Sequence, residues 1–438
     1  MQTQQTVAEK TNFDSPAYKR SRRAYVWECT FEYFVAILVS GSFLTTALKE
    51  GFGFDNATIQ IISSLISLSF LFQILSVFLV RRVTNTKRFC ILFHSLGQVL
   101  FSSIFLIPLF PFGTPAVKQL VVVVCILLSY FGNYFVTTLI YRWANSFVDP
   151  AKRGVFSAGK QMVSLITAMV ISLVGGVVFD KFVAEGTPNR AFLFAAICIL
   201  VFSIVDTVCL LLIDKDKKDA EKKEIVPMRI ILGETLGNKN FRSVVTLQIL
   251  YQVGHYIAVG SFSAYALYTL GYTNTKIQII VAVGHLIWFA LSQPMGKFSD
   301  KYSFAKGFEL ATVFLIAAYL AFVFTTPATW FLYIAYYMLN SCASAGTGVN
   351  LNNIVYSYVN PKFFAEASAI KNAIGGICGF LTSLLGAQIL KTVEANGNQI
   401  FGMTVYAPQL LALLSVIIYV VALLYTHFVI GKQKVIKA

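Results

Sequence analysis

Gln248, Gln252 and His255 recur at i, i+4 and i+7, which puts two amides and an imidazole on one face of a helix. Planar amides bond pairs of hydroxyls and aromatic rings pack on C–H faces, so such a stripe suits recognition of a neutral polyol or glycoside. Other apolar segments carry the same side-chain types: Asn133, Tyr134, Thr137 and Tyr141; His285 and Trp288; and Tyr336, Tyr337, Asn340, Ser344 and Thr347. The competing use of these groups is interhelical bridging, because Ser, Asn and Gln also join helices packed in a membrane. A buried histidine is ordinarily a hydrogen-bonded structural residue, and a change of charge at His255 or His285 during a cycle is the alternative.

Charges inside apolar segments form the second group. Glu28 and Glu32 are i, i+4 on one helix face, and Glu32, the deeper, is the candidate site for a coupling H+ or Na+. Glu28 is expected near the headgroups beside Arg22 or Arg23, and Asp206 is expected to pair with Arg142. Lys160 is the last residue but one of the stretch VDPAKRGVFSAGKQ (148–161), and VNPKFFAEASAIKN (359–372) repeats Val, Pro, Ser, Ala and Lys in register, placing Lys371. Two readings stand for this lysine pair: snorkelling to the headgroups, or a pair of gate cations that, with Arg142, bond across the molecule when one side shuts.

These residues need long apolar helices to hold them. The chain has 438 residues, 57% hydrophobic and 13% charged, where a soluble domain carries about 25% charged. Twelve apolar segments long enough to cross ~30 Å of hydrocarbon lie near 25–49, 57–80, 89–110, 118–147, 154–182, 191–213, 242–270, 275–296, 304–326, 329–358, 364–391 and 408–430. Numbering them helices 1 to 12, the tails and even-numbered connections hold 26 of the 35 Lys and Arg and the odd-numbered connections hold six. That asymmetry places both termini and the central loop in the cytoplasm. The net charge of +15 therefore reports orientation in a cell membrane and excludes a nucleic-acid partner. Seven cysteines, with no C-x-x-C, read as small apolar residues. No metal-spaced cluster, phosphate-binding loop or nucleophile with a nearby base is visible, so the expectation is no enzyme, no cofactor and no metal.

The chain also repeats itself. Gly41–Phe43 (GSF) returns at Gly260–Phe262, and N-x-x-I-Q-I-I at Asn56–Ile62 returns at Asn274–Ile280. With the lysine segment, the offsets are 219, 218 and 211, in order, which indicates duplicated halves. The expected divisions are a cytoplasmic tail 1–23, a six-helix bundle 24–213, a linker 214–240, a second bundle 241–430 and a tail 431–438.

Over nearly its full length the chain resembles the major facilitator superfamily. Twelve spans, cytoplasmic ends and a long middle loop fit it, and G-K-F-S-D-K (Gly296, Asp300, Lys301) looks like the family's loop between helices 8 and 9. In that family the Asp of the loop caps a neighbouring helix and its basic residues latch the cytoplasmic side. The matching loop between helices 2 and 3 departs, with Arg81-Arg82 where Asp300-Lys301 stand in the second half. Helix 4 lacks the mid-helix arginine, and helix 5 the Gly-Pro, of the proton-antiporter pattern. The resemblance implies an all-α fold of two pseudo-symmetric six-helix bundles, with helices 1, 4, 7 and 10 lining a central cavity and 2, 5, 8 and 11 flanking it. The functional expectation is a secondary transporter working by alternating access on a small polar solute, a sugar or glycoside, with H+ or Na+ as coupling ion. Transport of organic anions, efflux of amphiphilic compounds and a multipass membrane enzyme are the alternatives. A monomer in the lipid bilayer is expected, with a small molecule as its partner.

Overall fold

The computed structural model describes residues 13–79, 83, 85–149, 152–214, 228–360, 363–400 and 402–433. Arg81, Arg82, most of the linker, both chain ends and the side chain of Arg142 lie outside the described residues. Helix 1 runs Pro16–Leu38 and continues at an angle of 43° as Gly41–Gly51. Helix 2 is built of Asn56–Ser63, Leu65–Ser69 and Leu71–Leu79, and helix 3 of Thr86–Leu100, Ser103–Leu106 and Ile107–Leu109. Helices 4, 5 and 6 are Pro115–Asn145, Arg153–Ala184 and Pro188–Leu212. A surface helix, Met228–Glu234, precedes the second half. There helix 7 comprises Lys239–Tyr256, Val259–Ala264 and Tyr265–Thr269; helix 8 is Asn274–Lys301, helix 9 Phe304–Val323 and helix 10 Phe331–Asn353. Helix 11 is Phe364–Ala395, and a two-stranded hairpin, Gln399–Ile400 with Met403–Thr404, leads into helix 12, Ala407–Phe428. The twelve helices form two six-helix bundles, each with its own apolar core: Phe43, Phe105, Phe179 and Phe192 in the first, Phe262, Tyr319, Phe322 and Tyr336 in the second.

Local sequence explains the ends. Pro16, Pro115 and Pro188 open helices 1, 4 and 6, where a missing N–H costs nothing. The bend in helix 1 passes through Gly41 at φ +56°, a left-handed conformation that favours glycine. Helices 1 and 7 both finish in a single wide turn, Ala47–Gly51 and Tyr265–Thr269, followed by Gly53 and Gly271 at φ +69° and +67°. Asp55 and Thr273 then cap helices 2 and 8 by accepting from the N–H of Thr58 and Lys276. Nine helices, or ten counting the bent helix 1, are long and apolar enough on composition to cross a membrane among the described residues; helices 7 and 10 are not in that set. These two carry the amides and hydroxyls expected to line a cavity.

The repeated segments pack on each other at the end remote from the termini. Gln60 Nε2 donates to the carbonyls of both Tyr256 and Ile257, at 3.0 Å each, where helix 7 breaks. Its counterpart Gln278 donates to Ser42 Oγ at 3.1 Å, where helix 1 bends. The carboxylate of Asp180, at the end of helix 5, accepts from the N–H groups of Asn274 and Thr275 at 2.7 and 2.8 Å, satisfying the exposed start of helix 8. Glu394, ending helix 11, accepts from Asn56 Nδ2 at 2.8 Å, and Tyr268 donates to Glu50 at 3.0 Å. Gly176 permits the approach of helix 5 to helix 8, because a Cβ there would meet the Thr275 backbone at 2.9 Å. Among the described residues, no hydrogen bond between the halves lies nearer the termini than Tyr33–His285 and Gln73–Asn372.

A hydrogen bond to a charged partner contributes about 1.5–3 kcal/mol. Replacing Asp180 by Ala is therefore expected to speed amide exchange at Asn274 and Thr275 by at least about tenfold in hydrogen-exchange mass spectrometry. Unchanged protection there would show that Asp180 does not hold the halves together.

Candidate functional site

Half-buried aromatic side chains from both bundles meet along the seam between the halves. Tyr33 Oη of helix 1 lies 3.3 Å from His285 Nε2 of helix 8, a polar bridge between the halves, and the Trp288 ring stands 6.1 Å from that of His285. The Tyr337 ring of helix 10 packs so closely over Gly284 of helix 8 that a Cβ there would meet it at 3.0 Å. On the opposite side Tyr134 of helix 4 meets Phe70 of helix 2 edge to face, with centroids 5.2 Å apart. Tyr130 stands beside Tyr134, with ring centroids 6.1 Å apart. One step nearer the termini, Asn372 Nδ2 donates to Gln73 Oε1 at 3.3 Å. The arrangement offers flat apolar faces with hydroxyl, imidazole and amide groups at their edges.

Of the residues expected to bind substrate, Tyr134, His285 and Trp288 join this seam, and Asn340 is half-buried on helix 10. Thr137 and Ser344 donate to carbonyls of their own helices, at Asn133 and Asn340. Asn133 needs correction. It accepts from Gln98 Nε2 at 2.9 Å and donates to Ser129 O, so it sits between helices 3 and 4, away from the seam. The contact exists because Gly97 and Gly132 let the two backbones touch. Gln248 and Gln252 also turn elsewhere. They are 4% and 6% exposed and pack against Gly375 and Gly379 of helix 11, inside the second bundle. His255 belongs there too, 3.4 Å from the Tyr319 hydroxyl and stacked on Tyr251. The i, i+4, i+7 stripe is real, and its face lies inside the second bundle, the glutamines against helix 11 and His255 against Tyr319 of helix 9.

The charged residues divide differently from expectation. Lys160 donates to Cys29 Sγ at 3.2 Å and to the Tyr25 hydroxyl at 3.5 Å, and Lys371 to the Leu351 carbonyl and Asn352 Oδ1 at 3.0 and 3.1 Å. Each bonds within its own half. Lys371 is fully buried and satisfies the carbonyl end of helix 10, where a cation is favoured. Glu28 is not at the headgroups: it is 1% exposed and faces His94, while Arg22 donates instead to the Phe13 and Phe147 carbonyls. Asp206 is paired with His94 at 2.9 Å, in place of the expected arginine. Gly296, Asp300 and Lys301 lie in the last turns of helix 8, and the helix that follows is capped by Ser303, which accepts from the Lys306 N–H. Asn85 does the same for helix 3.

A family model described as Major Facilitator Superfamily matches residues 29–383. No curated protein matches the sequence. Among solved structures, a mutant of the nucleoside transporter NupG superposes with a TM-score of 0.72 at 14% identity, covering 93% of this chain and 99% of that one. A bacterial homologue of the lysosomal transporter Spinster, inward-facing and unoccupied, gives 0.66 at 13% identity over 94% and 96% of the two chains. A D-xylose–proton symporter gives 0.63 at 11% identity over 91% and 96%. At these identities the likeness is one of fold.

The two sets of polar residues are expected to respond oppositely to substitution. His285→Ala removes the bridge to Tyr33 and is expected to weaken solute binding tenfold or more, with the melting temperature nearly unchanged. Gln252→Ala opens a cavity beside Gly379 and is expected to lower the melting temperature and leave affinity intact. Ligand-binding calorimetry and thermal melts on both variants distinguish these roles, and a reversed pattern would move the binding site to the helix 7–11 joint.

Proposed function

The chain belongs to the major facilitator superfamily, and from that premise we propose that it is a secondary transporter of a small, neutral, ring-bearing polar solute, such as a saccharide, glycoside or nucleoside. The observation that carries this reading is the seam of half-buried rings, Tyr33, Phe70, Tyr134, His285, Trp288 and Tyr337, contributed by both bundles and edged with hydrogen-bonding groups. Rings of this kind stack on sugar C–H faces or on nucleobases, while hydroxyl and imidazole edges bond the solute's polar groups. The fold's resemblance to a nucleoside transporter and to a xylose symporter is compatible with that class of cargo. In this reading the halves are shut at the end remote from the termini and parted at the other, which is an inward-open state if both termini are cytoplasmic. The protein would work as a monomer in the cell membrane, with bundles 24–213 and 241–430 rocking about the seam and the linker 214–240 and the tails 1–23 and 431–438 in the cytoplasm. Lys160, Lys371 and Arg142 would exchange partners across the halves when that side closes.

Glu32 is the proposed coupling residue, because it is a half-buried carboxylate one residue before Tyr33 on helix 1, within 4.8 Å of Glu28 and Cys29. A group of this kind, bordering both the solute and the protein interior, can take up H+ or Na+ with one orientation and release it with the other.

Purified protein in proteoliposomes is expected to accumulate one or more labelled sugars, glycosides or nucleosides, chemically unchanged, under an imposed pH or Na+ gradient. Conversion of the solute, or uptake restricted to organic anions or amphiphiles, would overturn the reading. Glu32→Gln is expected to abolish gradient-driven accumulation and retain solute exchange at equilibrium; full accumulation in the variant would remove Glu32 from coupling.

A further inference from the structure

Helices 1, 3 and 6 converge on three side chains that the transport reading does not use. Glu28, His94 and Asp206 are 1%, 2% and 0% exposed. His94 Nε2 stands 2.9 Å from Asp206 Oδ2 and 3.8 Å from Glu28 Oε1, and one ligand atom from each residue lies within 4.8 Å of the others. Beyond that ion pair, Nε2 and both Asp206 carboxylate oxygens have no hydrogen-bond partner among the described groups. Three enclosed polar side chains therefore point at one spot with little besides one another to satisfy them, a costly arrangement in an apolar interior. The other Glu28 oxygen is accounted for, accepting from Cys29 Sγ at 3.1 Å.

We propose that Glu28, His94 and Asp206 form a binding site for a first-row divalent transition-metal cation, inside the first bundle and apart from the solute seam. One imidazole nitrogen and two carboxylate oxygens are a donor set suited to Zn2+, Mn2+ or Fe2+. Ligand atoms held about 2.0–2.2 Å from a metal stand roughly 3.3–3.8 Å from each other in tetrahedral to trigonal arrangements. The observed 2.9 and 3.8 Å bracket that range, so the residues need little movement to close on an ion. Holding such an ion requires both carboxyl groups ionised and the imidazole neutral, so a dication would enter as protons leave, cancelling two negative charges that cost several kcal/mol if left uncancelled. A second group, Glu28, Cys29 and Glu32, adjoins the site through Glu28. There Lys160 already supplies a positive charge to Cys29, which leaves the inner trio as the cation site, and half-buried Glu32 marks the approach from the seam.

Full-length protein in detergent, stripped with chelator, would be offered Zn2+, Mn2+ or Co2+ singly and then desalted. About one equivalent of at least one ion is expected to remain by elemental analysis, with Co2+ giving absorption bands of nitrogen and oxygen ligation. Asp206→Asn, which keeps the side-chain shape, and His94→Gln are each expected to weaken binding tenfold or more. His427→Ala, at an exposed histidine beside Glu309, is expected to change nothing. No retained ion, or equal retention in wild type and Asp206→Asn, overturns the proposal. Should His94→Gln fail to fold, Glu28→Gln replaces it under the same criterion. The readout is independent of solute uptake, so this site and the transport reading can fail separately.

Discussion

The double hydrogen bond from Gln60 to the carbonyls of Tyr256 and Ile257 fixes how the two bundles meet. Helix 7 breaks at that point, freeing two carbonyls that lipid cannot satisfy, and an amide from the other half supplies the missing donor. Around this contact the remaining bridges follow: Gln278 to Ser42, Asp180 to the start of helix 8, and Asn56 to Glu394. Asp180 answers the same demand, that polar backbone exposed by a bend or a helix end find a partner inside the protein, while Gln278 and Asn56 add side-chain bonds beside it. The demand is met across the interface, so satisfying the backbone and shutting one end of the molecule are a single event.

The seam gains its character from what the shut end leaves behind. With the amides of the repeats spent on holding the halves together, the middle of the molecule is left to rings and their edges: Tyr33 with His285, Tyr134 with Phe70, Tyr337 over Gly284. The glutamines of helix 7 serve the second bundle in the same way, filling the space opened by Gly375 and Gly379. Charge is segregated from both. Glu28, His94 and Asp206 are enclosed among helices 1, 3 and 6, and Lys371 is sealed at the end of helix 10.

Much of this plan was legible in the sequence. Twelve spans, two halves and membership of the family were readable from hydropathy and from three repeats in register, and the repeats at Gly41, Asn56, Gly260 and Asn274 turn out to be the closing surfaces. The site was legible only in part, because periodicity gives a helix face and not the neighbour that covers it. The stripe Gln248, Gln252, His255 was a true face whose neighbours are Tyr319 of helix 9 and helix 11, the latter brought close by glycines too far along the chain to be linked by spacing. Asn133 was misread for the same reason, through Gly97 and Gly132. His94 carried no signal of its own, since its partners come from helices 66 residues before it and 112 after it. Lys160 and Lys371 show the opposite limit: equal places in a repeat, yet one bonds a neighbouring helix's thiol and the other a helix's carbonyl end.

The two glutamines of the repeat do not grip alike, and that inequality has an evolutionary and a mechanical side. Gln60 holds main-chain oxygens, which no substitution on helix 7 can delete, whereas Gln278 holds the hydroxyl of one serine, which a single nucleotide change can erase. The molecule thus has a durable jamb and a fragile one. On the fragile side the hold passes to Asp180, whose carboxylate grips the main-chain start of helix 8, so main chain is what each jamb finally rests on.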